Sequence, residues 1–395
     1  MKLIEKALEI KETTIAMRRD IHRHPELGLE EIRTSALVAE KLEALGLNVQ
    51  RGIGKTGVVG LLHGRSNSPV LLLRFDMDAL PIQEETGAPY ASESPGKMHA
   101  CGHDSHVAVG LSVAALLAEM RESIPGTIKF VFQPAEEGEG GAEKMVAAGV
   151  LENPKPDYSM AMHVWNDKPV GWYGVTEGPA MAGAQIFEVK ITGKGGHGAS
   201  PHLSVDPIVA VAQIITALQT IVSRNVHPLE SAVVSVCKVS AGSAFNIIPQ
   251  EAVFSGTIRT FKPEITDLVL HKFKEIIFNL AQGMGCKAEI DTQRVTLPVV
   301  NDLGLCKQMG EVIYKIDPDA VVDFKLQTMG SEDFSFMMDE IPGCFVMVGS
   351  ANPEKGLVYG HHHPKFDIDE TCLPFAVALL AQGALEILNA YSPDA

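Results

Sequence analysis

The chain has 395 residues, 46% of them hydrophobic, and a formal net charge of −16. That length suits two or three domains with sizeable cores. The acidic balance excludes a surface of clustered Lys and Arg, so no nucleic-acid partner is expected, and it fits a cytoplasmic enzyme.

The first twenty residues, "MKLIEKALEIKETTIAMRRD", interleave charges with apolar residues, so they read as one amphipathic helix rather than a signal peptide. No apolar run looks long enough to cross a membrane, and no membrane partner is expected. The short runs "VVGLLHG", "PVLLLRF", "TIKFVF" and "YSMAMHV" read as buried strands. Helix-like stretches such as "HVAVGLSVAALLAEMRE" and "GGAEKMVAAGVL" lie between them. This alternation predicts an α/β fold with a largely parallel sheet. From about 185 the order changes to β-α-β-β-α-β, the ferredoxin-like pattern. The predicted organisation is therefore a first part over 1–184, an inserted α+β domain over 185–295, and a return over 296–395. The return carries a helix, the strand "CFVMVGS" and a final helix. Six cysteines at 101, 237, 286, 306, 344 and 372 show no C-x-x-C and no disulfide-like spacing, which points to a reduced compartment.

The segment "GIGKTG" at 52–57 matches a glycine-rich dinucleotide fingerprint, but a strand-like run follows where a helix is required. A plain turn or hairpin is the expected outcome. Better candidates stand after the strands, where ligands bind in open α/β sheets. Asp76 and Asp78 follow "VLLLRF", Glu136 and Glu137 follow "TIKFVF", and His163 ends "YSMAMHV". Adjacent carboxylates suit a division of labour, one holding a cation and one taking a proton from water. The stretch "KMHACGHDSHVAVG" brings His99, Cys101, His103, Asp104 and His106 within eight residues. Near the end, "GHHHPKFDIDE" offers His361, His362 and His363, and "GKGGHGASPH" places His197 and His202 in the inserted domain. Thiolate, imidazole and carboxylate together form a transition-metal set rather than a calcium set.

The ordered series "HRHPELGLEE", "DMDALPIQE", "MHACGHDSH", "QPAEEGEGGA", "GGHGASPH", "NIIPQEA", "GTIRTF", "GSEDF" and "HHPKFDIDE" resembles the amidohydrolase branch of the aminoacylase/carboxypeptidase metallohydrolases. That branch includes hippurate hydrolases and N-acyl-amino-acid deacylases. The resemblance implies an α/β/α metallohydrolase domain with an inserted lid or dimerisation domain. It implies two divalent metal ions per subunit, of zinc, manganese, nickel or cobalt, held by Cys101, His103, Glu137, His163 and His362. Glu136 would be the general base and Asp78 the carboxylate that orients a ligand. His197 matches a residue that reaches a neighbouring subunit's site, while Asn246 and Arg259 match positions that hold the substrate. The implied reaction is hydrolysis of small N-acyl amino acids by a homodimer or homotetramer. Specialised N-acetyl-diaminopimelate deacetylases and metallocarboxypeptidases are the alternatives within the class. One departure stands out: peptidase relatives carry His-x-Asp where this chain has Asp76-Met77-Asp78.

Overall fold

The apolar runs read as strands form the centre of an eight-stranded sheet. The structure, a computed structural model, describes residues 2–391. The chain divides into two compact units. The first comprises the residues through Ala180, then Val300–Gln327 and the residues from Asp333 on; the second comprises Met181–Val299 with Thr328–Glu332.

In the first unit, Thr127–Gln133, Val70–Asp76, Tyr158–Pro169 and Gly343–Ala351 lie side by side and parallel. Every residue of Val70–Asp76, Thr127–Gln133 and Gly343–Ala351 is buried. Strands covered on both faces lose the alternation of a half-exposed strand, which is why they read as continuous apolar runs. The stretch around "GIGKTG" is a hairpin: Asn48–Ile53 pairs antiparallel with Gly57–His63, which extends the sheet antiparallel to Thr127–Gln133. Helix His103–Glu119 is buried on nearly all sides and packs on Val70–Asp76, as does the terminal helix Leu373–Ala390. An all-round apolar helix belongs in a core. The expected single N-terminal helix is two, Leu3–Glu9 and Lys11–Arg23, because Ile10 leaves helical geometry at φ −92°, ψ 5°.

The second unit shows the predicted β-α-β-β-α-β order: strands Gly183–Thr192, Ala232–Ala241, Glu251–Thr260 and Lys287–Thr296, with helices Pro207–Thr220 and Pro263–Gly283. Its four-stranded sheet is antiparallel throughout. Phe187, Val189 and Ile191 point inward against Ile214, Leu218, Phe273 and Ile277, while Ile186 and Glu188 face outward. This period of two is that of a sheet with helices on one face. A two-residue ribbon, in which Ile247 pairs with His197, is an addition to the predicted pattern.

One expectation is corrected. Pro207–Asn225 and Glu370–Ala390 are, by length and composition, apolar enough to cross a membrane. Polar residues such as Gln213 and Thr216 in the first and Gln382 and Glu386 in the second interrupt their apolar runs, so neither reads as one unbroken stretch. The apolar window of the second is 72% buried, as a core helix requires, and the first buries Ala210, Val211, Ile214 and Leu218 against its own sheet.

Candidate metal centre

The four parallel strands run the same way, so the segments leaving their carboxyl ends meet on one edge. Three groups of metal-capable side chains gather there in the first unit, with ligand atoms of each group within 4.8 Å of one another: Cys101, Glu137 and His362; His103, Glu136 and Glu137; and Asp76, His103, His106 and His163. Glu137 belongs to the first two.

Hydrogen bonding separates side chains whose nitrogens remain open to a cation from those already committed to neighbours. His103 donates Nδ1–H to the Asp78 carbonyl at 2.9 Å, with Asp78 Oδ1 at 3.2 Å, so its Nε2 is the nitrogen left to meet a cation in place of a proton. That Nε2 is buried and has no hydrogen-bond partner. His163 donates Nδ1–H to the Val164 carbonyl at 2.6 Å and aims Nε2 at Cys101 Sγ, 3.5 Å away. His106 behaves differently. Its Nε2 accepts the Val164 N–H at 3.1 Å, which puts the proton on Nδ1, and Nδ1–H donates to Asp76 Oδ1 at 2.5 Å. With both nitrogens engaged it has no lone pair for a cation. Asp76 is likewise committed, its other oxygen accepting Arg74 Nη1–H at 2.6 Å. So the aspartate that replaces a histidine in the His-x-Asp pattern is here a buried counter-charge to Arg74 and the acceptor of the His106 Nδ1–H. Asp78 orients two groups, His103 through Oδ1 and the Glu137 backbone N–H through Oδ2 at 3.0 Å.

The three C-terminal histidines divide. His362 Nε2 lies 3.1 Å from Glu137 Oε1, a buried oxygen. His361 accepts the Asn166 N–H on Nε2 and turns Nδ1 toward Cys101 Sγ at 3.8 Å. His363 stacks on Tyr359. Sequence reasoning set His361 aside, and its contact with the cysteine is visible only in three dimensions.

Backbone geometry makes these approaches possible. Gly102, Ala135 and His362 all have positive φ, at +90°, +52° and +66°. A side chain on Gly102 would put its Cβ 2.5 Å from Val164 Cγ2, so glycine is needed for the Cys101–His103 turn to pack on the strand that bears His163. Ala135 is held from the N-terminal motif, where Glu31 Oε1 accepts its N–H at 2.9 Å. On the far side, Asp333 binds Gln133 at 2.6 Å and the N–H of Ala142 at 2.9 Å. The Glu136–Glu137 turn is thus clamped at both ends.

Electrostatics fit a cation. Burial, then the Glu137 and Glu136 carboxylates, push the Cys101 thiol well above its ordinary value. A cation at sulfur is what would release that proton. Burial, with His106 and His361 nearby, holds His163 well below its ordinary value and therefore neutral. Burial opposes charge on His103, but Asp76 and Asp78 overcome it and raise the imidazole to about 10. Unpartnered His103 Nε2, and Glu137 Oε1 facing His362 Nε2, beside the Cys101 thiol and the His163 imidazole, are atoms a divalent cation would satisfy. Of the remaining residues in the opening cluster, His99 is buried without a hydrogen-bond partner, and Asp104 binds Arg18 and His22.

His197, Asn246 and Arg259 lie in the second unit. His197 accepts the Ala199 N–H on Nδ1 at 3.0 Å, which leaves Nε2–H as an exposed donor. The Asn246 carbonyl accepts the Gly198 N–H at 2.9 Å, tying the two motifs together. Arg259 is held by hydroxyls, Thr257 Oγ1 at 3.0 Å and Ser331 Oγ at 2.7 Å.

Comparison with known proteins agrees with this architecture. Residues 72–386 match the model of peptidase family M20/M25/M40. The chain is 41% identical over 376 residues to an N-acetylcysteine deacetylase of Bacillus subtilis, covering 95% of this chain and 97% of that protein. It is 40% identical over 383 residues to the IAA-amino acid hydrolase ILR1-like 4 of Arabidopsis thaliana, covering 95% and 85%. Among solved structures, the Bacillus subtilis YXEP protein, described as a dinuclear metal binding peptidase, superposes with a TM-score of 0.84 at 37% identity, over 96% of this chain and 99% of that one. The family expected from the ordered motifs is the one found, and the chain belongs to peptidase family M20/M25/M40.

Proposed function

We propose that this hydrolase cleaves the amide bond of N-acyl amino acids, releasing a carboxylate and a free amino acid, with two divalent cations per subunit. The observation that supports the reading is that Glu137 falls in one metal-capable group with Cys101 and His362 and in another with His103, where the adjacent Glu136 carboxylate stands beside the candidate ligands as the base. The curated relatives, named for N-acetylcysteine and for IAA-amino acids, support the substrate class.

Cys101, His103, Glu137, His163 and His362 would hold the cations, zinc, manganese, nickel or cobalt, since borderline donors discriminate poorly among them. Bound cations would supply Lewis-acid polarisation of the scissile carbonyl and of the attacking water. Glu136 takes the proton from that water as its oxygen attacks the carbonyl carbon. The same carboxyl then gives the proton to the amine nitrogen as the C–N bond breaks. Asp78 keeps Nε2 of His103 and the backbone of Glu137 in place through this exchange. His197, from the second unit of this chain or of a partner copy, donates Nε2–H to the tetrahedral oxyanion. Asn246 contacts the substrate, and Arg259, whose neighbours are hydroxyls rather than carboxylates, pairs with the substrate carboxylate. In this reading the second unit is a lid and dimerisation domain, the enzyme is a cytoplasmic homodimer or homotetramer, and hippurate is among its substrates.

The test is apo-protein reconstituted with each metal and assayed on N-acetyl and N-benzoyl amino acids, dipeptides and N-acetyl-diaminopimelate. Preferential turnover of N-acyl amino acids is expected. Turnover confined to dipeptides would make it a carboxypeptidase, and turnover confined to the diaminopimelate derivative a specialised deacetylase.

A further inference from the structure

One of the buried guanidinium groups of the first unit, that of Arg18, lies outside the candidate ligand set. Arg18, on helix Lys11–Arg23, is wholly buried, and its guanidinium meets three carboxylates. Nε donates to Asp104 Oδ2 at 2.8 Å, Nη2 to Asp367 Oδ1 at 2.7 Å, and Nη1 to Glu370 Oε1 at 3.1 Å. The placement of two of these acids is informative. Asp104 directly follows His103 in the first turn of helix His103–Glu119. Asp367 lies five residues beyond His362 and takes a second hydrogen bond from Tyr90 Oη at 2.7 Å. One planar fork therefore joins the two chain segments that carry Cys101–His103 and His362. These segments are 260 residues apart in sequence and touch directly through the His362 N–H on the Ala100 carbonyl at 2.8 Å. The segment with His163 joins the same assembly, because Asn166 Nδ2 donates to the carbonyls of Tyr359 at 2.7 Å and Asp367 at 3.0 Å.

We propose that Arg18 is a positioning residue for the metal centre, holding the Cys101–His103 turn and the His362 loop in register by bridging Asp104 and Asp367. The proposal rests on the metal-centre reading above. A buried arginine between carboxylates is not by that fact stabilising, because the desolvation of each charge offsets much of their attraction. What a rigid three-way fork does provide is geometry. Ligand geometry is what outer contacts govern in a metal site, and their loss typically weakens metal binding 10–100-fold. Lysine could keep the charge, but as a single flexible ammonium it could not span the three carboxylates with fixed angles.

The test uses the full-length apo-protein titrated with Co²⁺, followed by the thiolate-to-cobalt charge-transfer band and by competition with a chelator. Wild type, Arg18→Lys, Arg18→Met and Asp367→Asn are compared, with apo-protein melting measured separately. The expected result is a roughly 10–100-fold weaker Co²⁺ affinity in folded Arg18→Lys. A smaller loss is expected in Asp367→Asn, which keeps a folded reporter should Arg18→Met not fold. A lowered apo melting temperature with unchanged Co²⁺ affinity in both Arg18→Lys and Asp367→Asn would overturn the proposal and leave Arg18 a structural residue. Absence of the charge-transfer band in wild type would instead overturn the metal-centre reading on which it rests.

Discussion

Replacing Asp78 by Asn tests how the centre is held. The substitution preserves shape and removes one charge at a residue 2% exposed. Asp78 accepts from two donors, His103 Nδ1–H at 3.2 Å and the Glu137 N–H at 3.0 Å. An amide has only one oxygen, so one of these donors must face an NH₂ group. The tautomer of His103 survives, because its Nδ1–H also binds the Asp78 carbonyl at 2.9 Å. What is lost is one charge-assisted hydrogen bond, worth about 1.5–3 kcal/mol. Expressed as metal affinity, that is roughly a 10–100-fold weakening, the range found when outer partners of metal ligands are removed. Chelator competition on the apo-protein measures it directly, and kcat/KM at saturating metal shows whether the reloaded site is still misaligned. A metal Kd within about twofold of wild type would refute the assignment of Asp78 as the group that aligns His103 and Glu137.

Other consequences follow from the same contacts. Burial opposes charge on His22, yet Asp104 and Glu84 raise its imidazole from 6.5 to about 9. Its stabilisation is therefore complete below pH 6.5 and lost as pH rises through 9, an effect on the order of 3 kcal/mol. Urea unfolding of wild type and His22→Gln across that window should show the gap between them closing as pH rises, and a constant gap would contradict the pairing. Arg259→Lys should lower kcat/KM about 10–100-fold for substrates with a free carboxylate, the worth of a charged hydrogen bond, and leave neutral amides nearly unchanged. Equal losses on both would remove Arg259 from carboxylate recognition. Gly102→Ala forces a Cβ onto Val164 and imposes left-handed strain of about 1–3 kcal/mol. Melting temperature and metal affinity should fall together; unchanged values would show that the turn relaxes.

The strands were legible because burial on both faces removes the polar alternation of a half-exposed strand: "VLLLRF" and "TIKFVF" are apolar apart from Thr127 and from Arg74 and Lys129, whose charged ends are buried against the Asp76 carboxylate and the Glu152 carbonyl. The second unit was legible for the opposite reason, since Phe187, Val189 and Ile191 alternate with outward residues. The turn at "GIGKTG" could be read because β-branched residues follow it. Other features depend on geometry that no spacing encodes. His103 and His106 sit three apart on one helix, and only the partners beyond each ring leave Nε2 of one open and engage both nitrogens of the other. Arg18, in a helix rich in charge, reads as a solvated residue until the chain brings Asp104 and Asp367 to it. His361 and His362 are adjacent and chemically identical, and the positive φ of His362 turns them to different partners. The break at Ile10 leaves no residue-type signal, since neither Gly nor Pro marks it.

The most direct test of the account pairs metal content with turnover in Glu136→Gln. Wild type reconstituted with two equivalents of metal should hydrolyse N-acyl amino acids. The variant should bind the same metal and lose about 10²–10⁴ in kcat, the contribution of a general acid–base group. Full activity in metal-loaded Glu136→Gln, or no hydrolysis of any N-acyl amino acid by the metal-loaded wild type, would contradict it.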